Sequence, residues 1–89
     1  MTYEITYDLN KPGQNYPGLH EAIKNLGSWA HVQESTWIVK TSLSAAQIRD
    51  RLAPQLDQRD TLLVTGLTGE WASWGLAKEF NDWLLKNAA

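Results

Sequence analysis

The stretch YEITYD at residues 3–8 alternates apolar and polar side chains. Tyr3, Ile5 and Tyr7 fall on one face of an extended chain, and the three polar side chains fall on the other. A period of two residues is typical of a β-strand with one buried face. The sequence therefore predicts a first strand that ends at Asp8, with the Asp8 carboxylate facing away from the core.

A loop and a helix follow this strand. Residues 10–15 combine Asn, Lys, Pro and Gly, which predicts a turn-rich loop. Pro17 occupies a first-turn position that helices tolerate, and apolar side chains then recur at helical spacing up to Leu26. We therefore expect a helix at 17–26, ended by Gly27 in a left-handed conformation.

Two short strands come next, at residues 29–34 and 36–41. Both are rich in Trp, Val, Ile and Thr, the residue types that favour strands. Only a residue or two, around Glu34 and Ser35, separate the two strands. They are therefore expected to form a tight hairpin.

The second helix has a clear start and an interrupted end. Ser44 and Gln47 have the spacing of a capping box, which predicts a helix at about 45–56. Pro54 removes one helical hydrogen bond and crowds the carbonyl four residues earlier. We therefore expect the helix to kink or end at Pro54.

The fourth strand is predicted at residues 61–67 and is apolar on both faces. Leu62 and Val64 share one face, and Leu63 and Leu67 share the other. A strand buried on a single face would alternate more cleanly, so this strand is expected to meet apolar surface on both sides.

The element order strand, helix, strand, strand, helix, strand predicts an α+β fold, the ferredoxin-like βαββαβ sandwich. Its four-stranded antiparallel sheet would carry two helices on one face and span residues 1–69. Residues 70–89 form a Trp-rich loop and an extra C-terminal helix, packed on the same domain or on a dimer partner. The apolar side chains of the uncovered sheet face favour a homodimer.

The composition excludes several classes of protein. The chain of 89 residues has a formal charge of −2 without charge runs, so strong non-specific binding to duplex DNA is not expected. It has no cysteine, which excludes disulfides and thiolate chemistry and suits a cytoplasmic location. Neither a signal peptide nor a segment long enough to span a bilayer is visible, so no membrane association is expected.

Asp8 is the candidate for catalysis and for metal binding. Two Asp8 carboxylates brought together by symmetry would repel each other unless a divalent cation, Mg²⁺ or Mn²⁺, lay between them. Alternatively, Asp8 hydrogen-bonds the amides of the turn that follows the strand. Lys11 is the only cationic residue close to Asp8 in the sequence.

The two histidines offer a second candidate. His31 lies in the second strand, on a face with Trp29 and Gln33, and could serve as an acid or base near a phosphate. Alternatively, it is an ordinary sheet histidine. His20 lies beside Leu19 on the first helix and is expected to be solvated.

Five tryptophans are an unusual number for this length, and three of them lie in the last twenty residues. They could stack on nucleic acid bases, but few basic residues are interleaved with them. Core packing and contact with a second copy or another protein are the alternative explanation. The candidate contact residues are Leu62, Val64, Trp71 and Trp74.

Several short segments together resemble the small CRISPR-associated Cas-two family and its VapD-like ribonuclease relatives. They are YDL at 7–9, HVQESTW at 31–37, the helix led by Ser44, and the strand at 60–67. The segment GEWASWGL at 69–76 is most similar to the SinR-labelled branch.

The resemblance implies a ferredoxin-like homodimer in which the aspartate ending the first strand pairs at the twofold axis and holds a divalent metal. The matching residue here is Asp8. The arginines that many such proteins carry after the first strand and at the start of the hairpin are missing. Two hypotheses follow: a non-enzymatic interaction module, and a metal-dependent endoribonuclease with paired Asp8 carboxylates.

Overall fold

A computed structural model describes residues 1–10 and 16–87 of the chain. Within these residues it has one four-stranded antiparallel sheet and three α-helices, which confirms the predicted α+β class. Most of the predicted turn-rich loop falls on 11–15, outside the described residues. The elements are β1 (Thr2–Asp8), α1 (Pro17–Lys24), β2 (Ser28–Gln33), β3 (Thr36–Lys40), α2 (Ala45–Leu52), β4 (Thr61–Gly66) and α3 (Lys78–Asn87).

The strands lie in the order β2-β3-β1-β4, and every neighbouring pair is antiparallel. β1 and β3 are therefore central, while β2 and β4 form the two edges. This order is compatible with the predicted ferredoxin-like arrangement. None of the helices in the described part of the chain has the length and apolar character needed to cross a membrane.

The front face of the sheet, which carries Tyr3, Ile5 and Tyr7, packs against α1 and α2. These three side chains are buried, as the alternation in β1 predicts. Most of the buried apolar residues belong to this layer. Burying one large aliphatic side chain contributes roughly 1.5–3 kcal/mol to stability. The front core consists of Tyr3, Ile5, Tyr7, Leu19, Ile23, Leu26, Trp37, Val39, Ile48 and Leu52.

The opposite, back face is partly covered by α3. Leu84 of α3 is 3 % exposed, and Ala30 and Ile38 on the back face are buried. The Thr2 hydroxyl donates a hydrogen bond of 2.8 Å to the carbonyl of Asn87, at the end of α3. The expectation of an open second sheet face is therefore wrong where α3 lies, because its apolar stripe occupies that area.

The capping box of α2 is confirmed. The Ser44 side chain accepts a hydrogen bond from the Gln47 amide, and the Gln47 side chain accepts one from the Ser44 amide. α2 ends at Leu52, earlier than predicted, and Ala53–Gln55 form a 3₁₀ turn. Pro54 lies within that turn, so the predicted break is confirmed, although it takes effect two residues before the proline.

Gly27 does not adopt the left-handed conformation predicted for it. α1 ends at Lys24, Asn25 caps it in a right-handed conformation, and Gly27 has φ 159°. A Cβ atom at Gly27 would collide with the carbonyl oxygen of Lys40 on β3. The position therefore requires glycine because β2 and β3 approach each other closely there.

The two faces of β4 differ in burial. Leu62 and Val64 are partly buried against the front core, whereas Leu63 is 63 % exposed. The prediction that β4 meets apolar surface on both sides is thus wrong within the single chain, because α3 does not extend as far as the β4 edge of the back face. A large aliphatic side chain is left in water on an edge strand.

Candidate functional site

Asp8 is exposed at the end of β1, opposite Thr61 of β4. Among residues 1–10 and 16–87, its carboxylate makes no hydrogen bond or ion pair. Asp60 lies close by, and its two carboxylate oxygens accept hydrogen bonds of 2.7 Å from the amides of Asn10 and Asp57. The bond to Asn10 ties the end of β1 to the segment before β4. Most of the turn amides that Asp8 is expected to bond fall on 11–15, outside the described residues.

Asp8 does not belong to a cluster of metal-ligating side chains among the described residues. No group of three or more His, Asp or Glu side chains among them is arranged to hold a metal ion. Lys11, the one nearby cation in the sequence, lies outside the described residues. Outside any such cluster in the described part of the chain, one carboxylate provides too few oxygen ligands to fix a divalent cation by itself.

His31 packs flat on the buried indole of Trp37. The two rings are stacked at 3.8 Å with an interplanar angle of 8°. His31 Nε2 lies 3.1 Å from the Glu34 carbonyl oxygen. A carbonyl can only accept a hydrogen bond, so Nε2 carries the proton and donates it. The stacking and this hydrogen bond hold the imidazole in one orientation.

His20 joins this group, contrary to the expectation that it is solvated. Its ring centre is 5.4 Å from that of His31 and 5.4 Å from that of Trp37, both edge-on. Its Nε2 lies 3.4 Å from the Tyr7 hydroxyl, which accepts a hydrogen bond of 3.0 Å from Trp37 Nε1. Tyr7, His20, His31 and Trp37 together are called the histidine cluster below.

The surroundings of His20 and Tyr7 favour the neutral form of each side chain. Burial lowers the pKa of His20, and the neighbouring His31 and Lys24 lower it further. Burial also raises the pKa of the Tyr7 phenol. The His20 imidazole and the Tyr7 hydroxyl lie within hydrogen-bonding distance of each other at the hairpin end of the sheet.

The structure does not bring Asp8 and His31 together. Asp8 points to the back face, whereas His31 stacks on Trp37 at the front face. The predicted pairing of His31 with Gln33 on one face is also wrong. A β-bulge between these residues turns Gln33 to the back face, where it lies opposite Thr36.

The predicted contact residues lie in two separate places. Leu62 and Val64 are on the β4 edge, half-buried. Trp71 is half-buried and Trp74 is 98 % exposed, and both line a groove on the back face. This back-face groove has a volume of about 280 Å³ and lies between residues 67–76 and the sheet.

Two residues near these sites were not singled out from the sequence. His20 joins the histidine cluster because α1 and β2 pack side by side. No local sequence pattern indicates this tertiary contact. Glu4 lines the back-face groove. Its position on the outer face of β1 follows from the alternation, but no sequence signal indicates that the C-terminal segment returns across that face.

The chain matches no family model, and neither curated proteins nor solved structures show significant similarity to it.

Proposed function

We propose that this protein is a ferredoxin-like, non-enzymatic interaction module that acts as a homodimer, with the two copies joined through their β4 edges. The observation that carries the proposal is the character of that edge. Residues 61–68 contain no charged residue and no proline, and Leu63 is 63 % exposed. Monomeric proteins usually place lysine, proline or a covering segment on an edge strand to prevent pairing.

The backbone of β4 has the groups that such pairing needs. The Leu67 amide donates to the Thr2 carbonyl at 2.9 Å. This bond identifies which backbone groups of β4 point toward β1 and which point outward. In an antiparallel ladder every second residue bonds the same neighbour, so the amides and carbonyls of Leu62, Val64 and Gly66 point away from the sheet.

One register pairs apolar side chains best. With Leu63 on a twofold axis, Leu63 faces its own copy, and Leu62 faces Val64 of the partner subunit in hydrogen-bonded pairs. The exposed Leu63 side chains would then cover each other on the back face. The two sheets would continue as one sheet of eight strands across the dimer.

Single cysteines test this register, because the chain has no cysteine of its own. Leu63 would form a non-hydrogen-bonded pair with its copy, with Cα atoms about 4.5 Å apart, within the range that a disulfide spans. Leu63→Cys is therefore expected to form a disulfide-linked dimer on mild oxidation. Leu85→Cys, on the 76 % exposed Leu85 of α3, is the matched control and should stay monomeric on a non-reducing gel.

Light scattering of the unmodified protein at micromolar concentration gives the independent readout, and a dimer is expected. A monomer would reject the proposal. A dimer in which the Leu63→Cys variant does not crosslink would reject the register and move the interface to another surface.

The second candidate is a divalent-metal-dependent endoribonuclease with paired Asp8 carboxylates, as the resemblance to the Cas-two and VapD-like proteins implies. The exposed Asp8 carboxylate without a partner among the described residues favours it. The two proposals exclude each other structurally. Pairing at β4 would separate the two Asp8 residues by about 20 Å, given strand spacings of about 4.8 Å and a rise of about 3.4 Å per residue.

Cleavage of RNA and DNA panels with Mg²⁺ or Mn²⁺ decides between the candidates. The nuclease hypothesis expects cleavage by the wild type, loss of cleavage in Asp8→Asn, and full activity in the control Asp50→Asn, which removes an exposed carboxylate on α2. The interaction-module proposal expects no cleavage by any of the three. Cleavage that depends on Asp8 would overturn it.

A further inference from the structure

The back-face groove has an unusual lining for a surface of this protein. Trp71 and Trp74 line it together with the aliphatic side chains of Ile38 and Leu84. Glu4 is the only charged residue among the described residues that line it, and none of these is Lys, Arg or His. The groove is therefore apolar and aromatic, with a single negative charge.

The Glu4 carboxylate lacks a partner in the described part of the chain. Glu4 is half-buried on β1, opposite the buried Ile38 of β3. It makes no hydrogen bond or ion pair with residues 1–10 or 16–87. An organic cation in the groove would have this carboxylate as its counter-charge.

The rim of the groove is held in place by α3. The Ser73 hydroxyl bonds Asn81 Oδ1 at 2.6 Å, and Asn81 Nδ2 donates to the Leu76 carbonyl at 3.3 Å. Gly75, at φ 77°, makes the turn between these two anchors with no atom near the position of a side chain. Trp74 is thereby presented at the rim, 98 % exposed.

We infer that the back-face groove binds a small organic ammonium ion, with Glu4 as the counter-charge and Trp71 and Trp74 as aromatic walls. Indole faces attract ammonium groups that carry methyl or methylene substituents, and the attraction grows when the cation loses part of its hydration. The volume of about 280 Å³ lies just below the range of drug-sized pockets, which suits an ammonium of a few carbon atoms. Binding would cover the Trp74 indole.

Choline and its uncharged carbon analogue 3,3-dimethylbutan-1-ol are the probes, because they differ only in the nitrogen and its charge. Titration of the ¹⁵N-labelled protein, followed through the indole Nε1–H and Glu4 amide signals, measures both affinities. We expect choline to bind at least about five-fold more tightly than the alcohol. Equal affinities, or no shift with choline up to about 20 mM, would overturn the inference, since a cation–aromatic site is expected to bind in the millimolar range.

Three variants assign the contacts. Glu4→Gln keeps the shape and removes the charge, and should abolish the preference for choline over the alcohol. Trp74→Ala should weaken choline binding about five-fold at little cost in stability, since Trp74 is 98 % exposed. Glu70→Gln, which removes a carboxylate outside the lining, is the control and should bind like the wild type. A choline preference that survives Glu4→Gln would overturn the assignment of Glu4.

Discussion

The two edges of the sheet are built in opposite ways. β2 carries a bulge between His31 and Gln33, lies between α1 and α3, and is tied to α3 by the Trp83 indole, which donates to the Ser28 hydroxyl at 3.2 Å. β4 is a regular strand without charged residues, and β1 is its only strand partner among the described residues. Bulges and covering helices are known protections of edge strands.

The difference shows where this domain can associate. The β2 edge is protected by contacts within the same chain. The Lys24 ammonium lies 5.1 Å from the centre of the Trp29 ring, and the histidine cluster packs at the end of the hairpin. The β4 edge has unused hydrogen-bonding groups and an exposed leucine. Association is therefore expected at β4 and not at β2.

The strongest test of the β4 edge uses proline at two adjacent positions. Leu63→Pro removes an amide that bonds β1, and should lower the free energy of unfolding by roughly 3 kcal/mol. Val64→Pro removes an outward amide, so the monomer should still fold while the dimer loses two cross-strand hydrogen bonds and about 100-fold in affinity.

Thermal unfolding and sedimentation velocity measure the two effects. A Val64→Pro variant that dimerises like the wild type would show that β4 is not the interface. A Val64→Pro variant that unfolds like Leu63→Pro would show that the alternation of inward and outward amides is wrong.

An effect on stability at least as large is expected at the β2 side of the front core. Trp37 is 1 % exposed, supports the His31 ring and donates to Tyr7. Trp37→Ala should cost about 3–5 kcal/mol in denaturant unfolding, through lost packing and a large cavity. Trp29→Ala, at the 40 % exposed neighbour on the same edge, is the control and should cost much less. Equal costs would mean that the histidine cluster does not hold this edge together.

The smallest effect is a pH dependence at the same edge. The folded state lowers the pKa of His20 below its ordinary value of 6.5, so the unfolded chain binds more protons. The stability due to a neutral His20 is complete above pH 6.5 and is lost as pH falls from there toward the folded pKa. Denaturant unfolding between about pH 5.5 and 7.5 should show this decline, and His20→Gln should reduce it. A decline unchanged in His20→Gln would assign it to another group.

Elements with local signals were predictable from the sequence. The alternation in β1 and the capping box at Ser44 depend on residues a few positions apart, so the sequence alone indicates them. The bulge after His31 and the meeting of His20 with His31 depend on how α1, β2 and β3 pack, and no local pattern shows this.

The candidate sites were predictable only in part. The exposure of Asp8 at the strand end follows from the alternation. The hydrogen bond from the Asn10 amide to Asp60 was not predicted, because it depends on the register of β1 against β4 and not on a local pattern. The back-face groove needs the path of residues 67–76, which no periodicity in that segment indicates.

The close approach at Gly27 affects how tolerance to mutation should be interpreted in this protein. Any side chain at Gly27 would collide with the Lys40 carbonyl, so substitutions there are expected to fail in a mutational scan. Trp74 can be replaced with little effect on folding, although it is the residue proposed to contact a ligand. A mutational scan that scores protein abundance would therefore rank Gly27 as more important than Trp74. Only a scan that scores ligand binding would reverse that order.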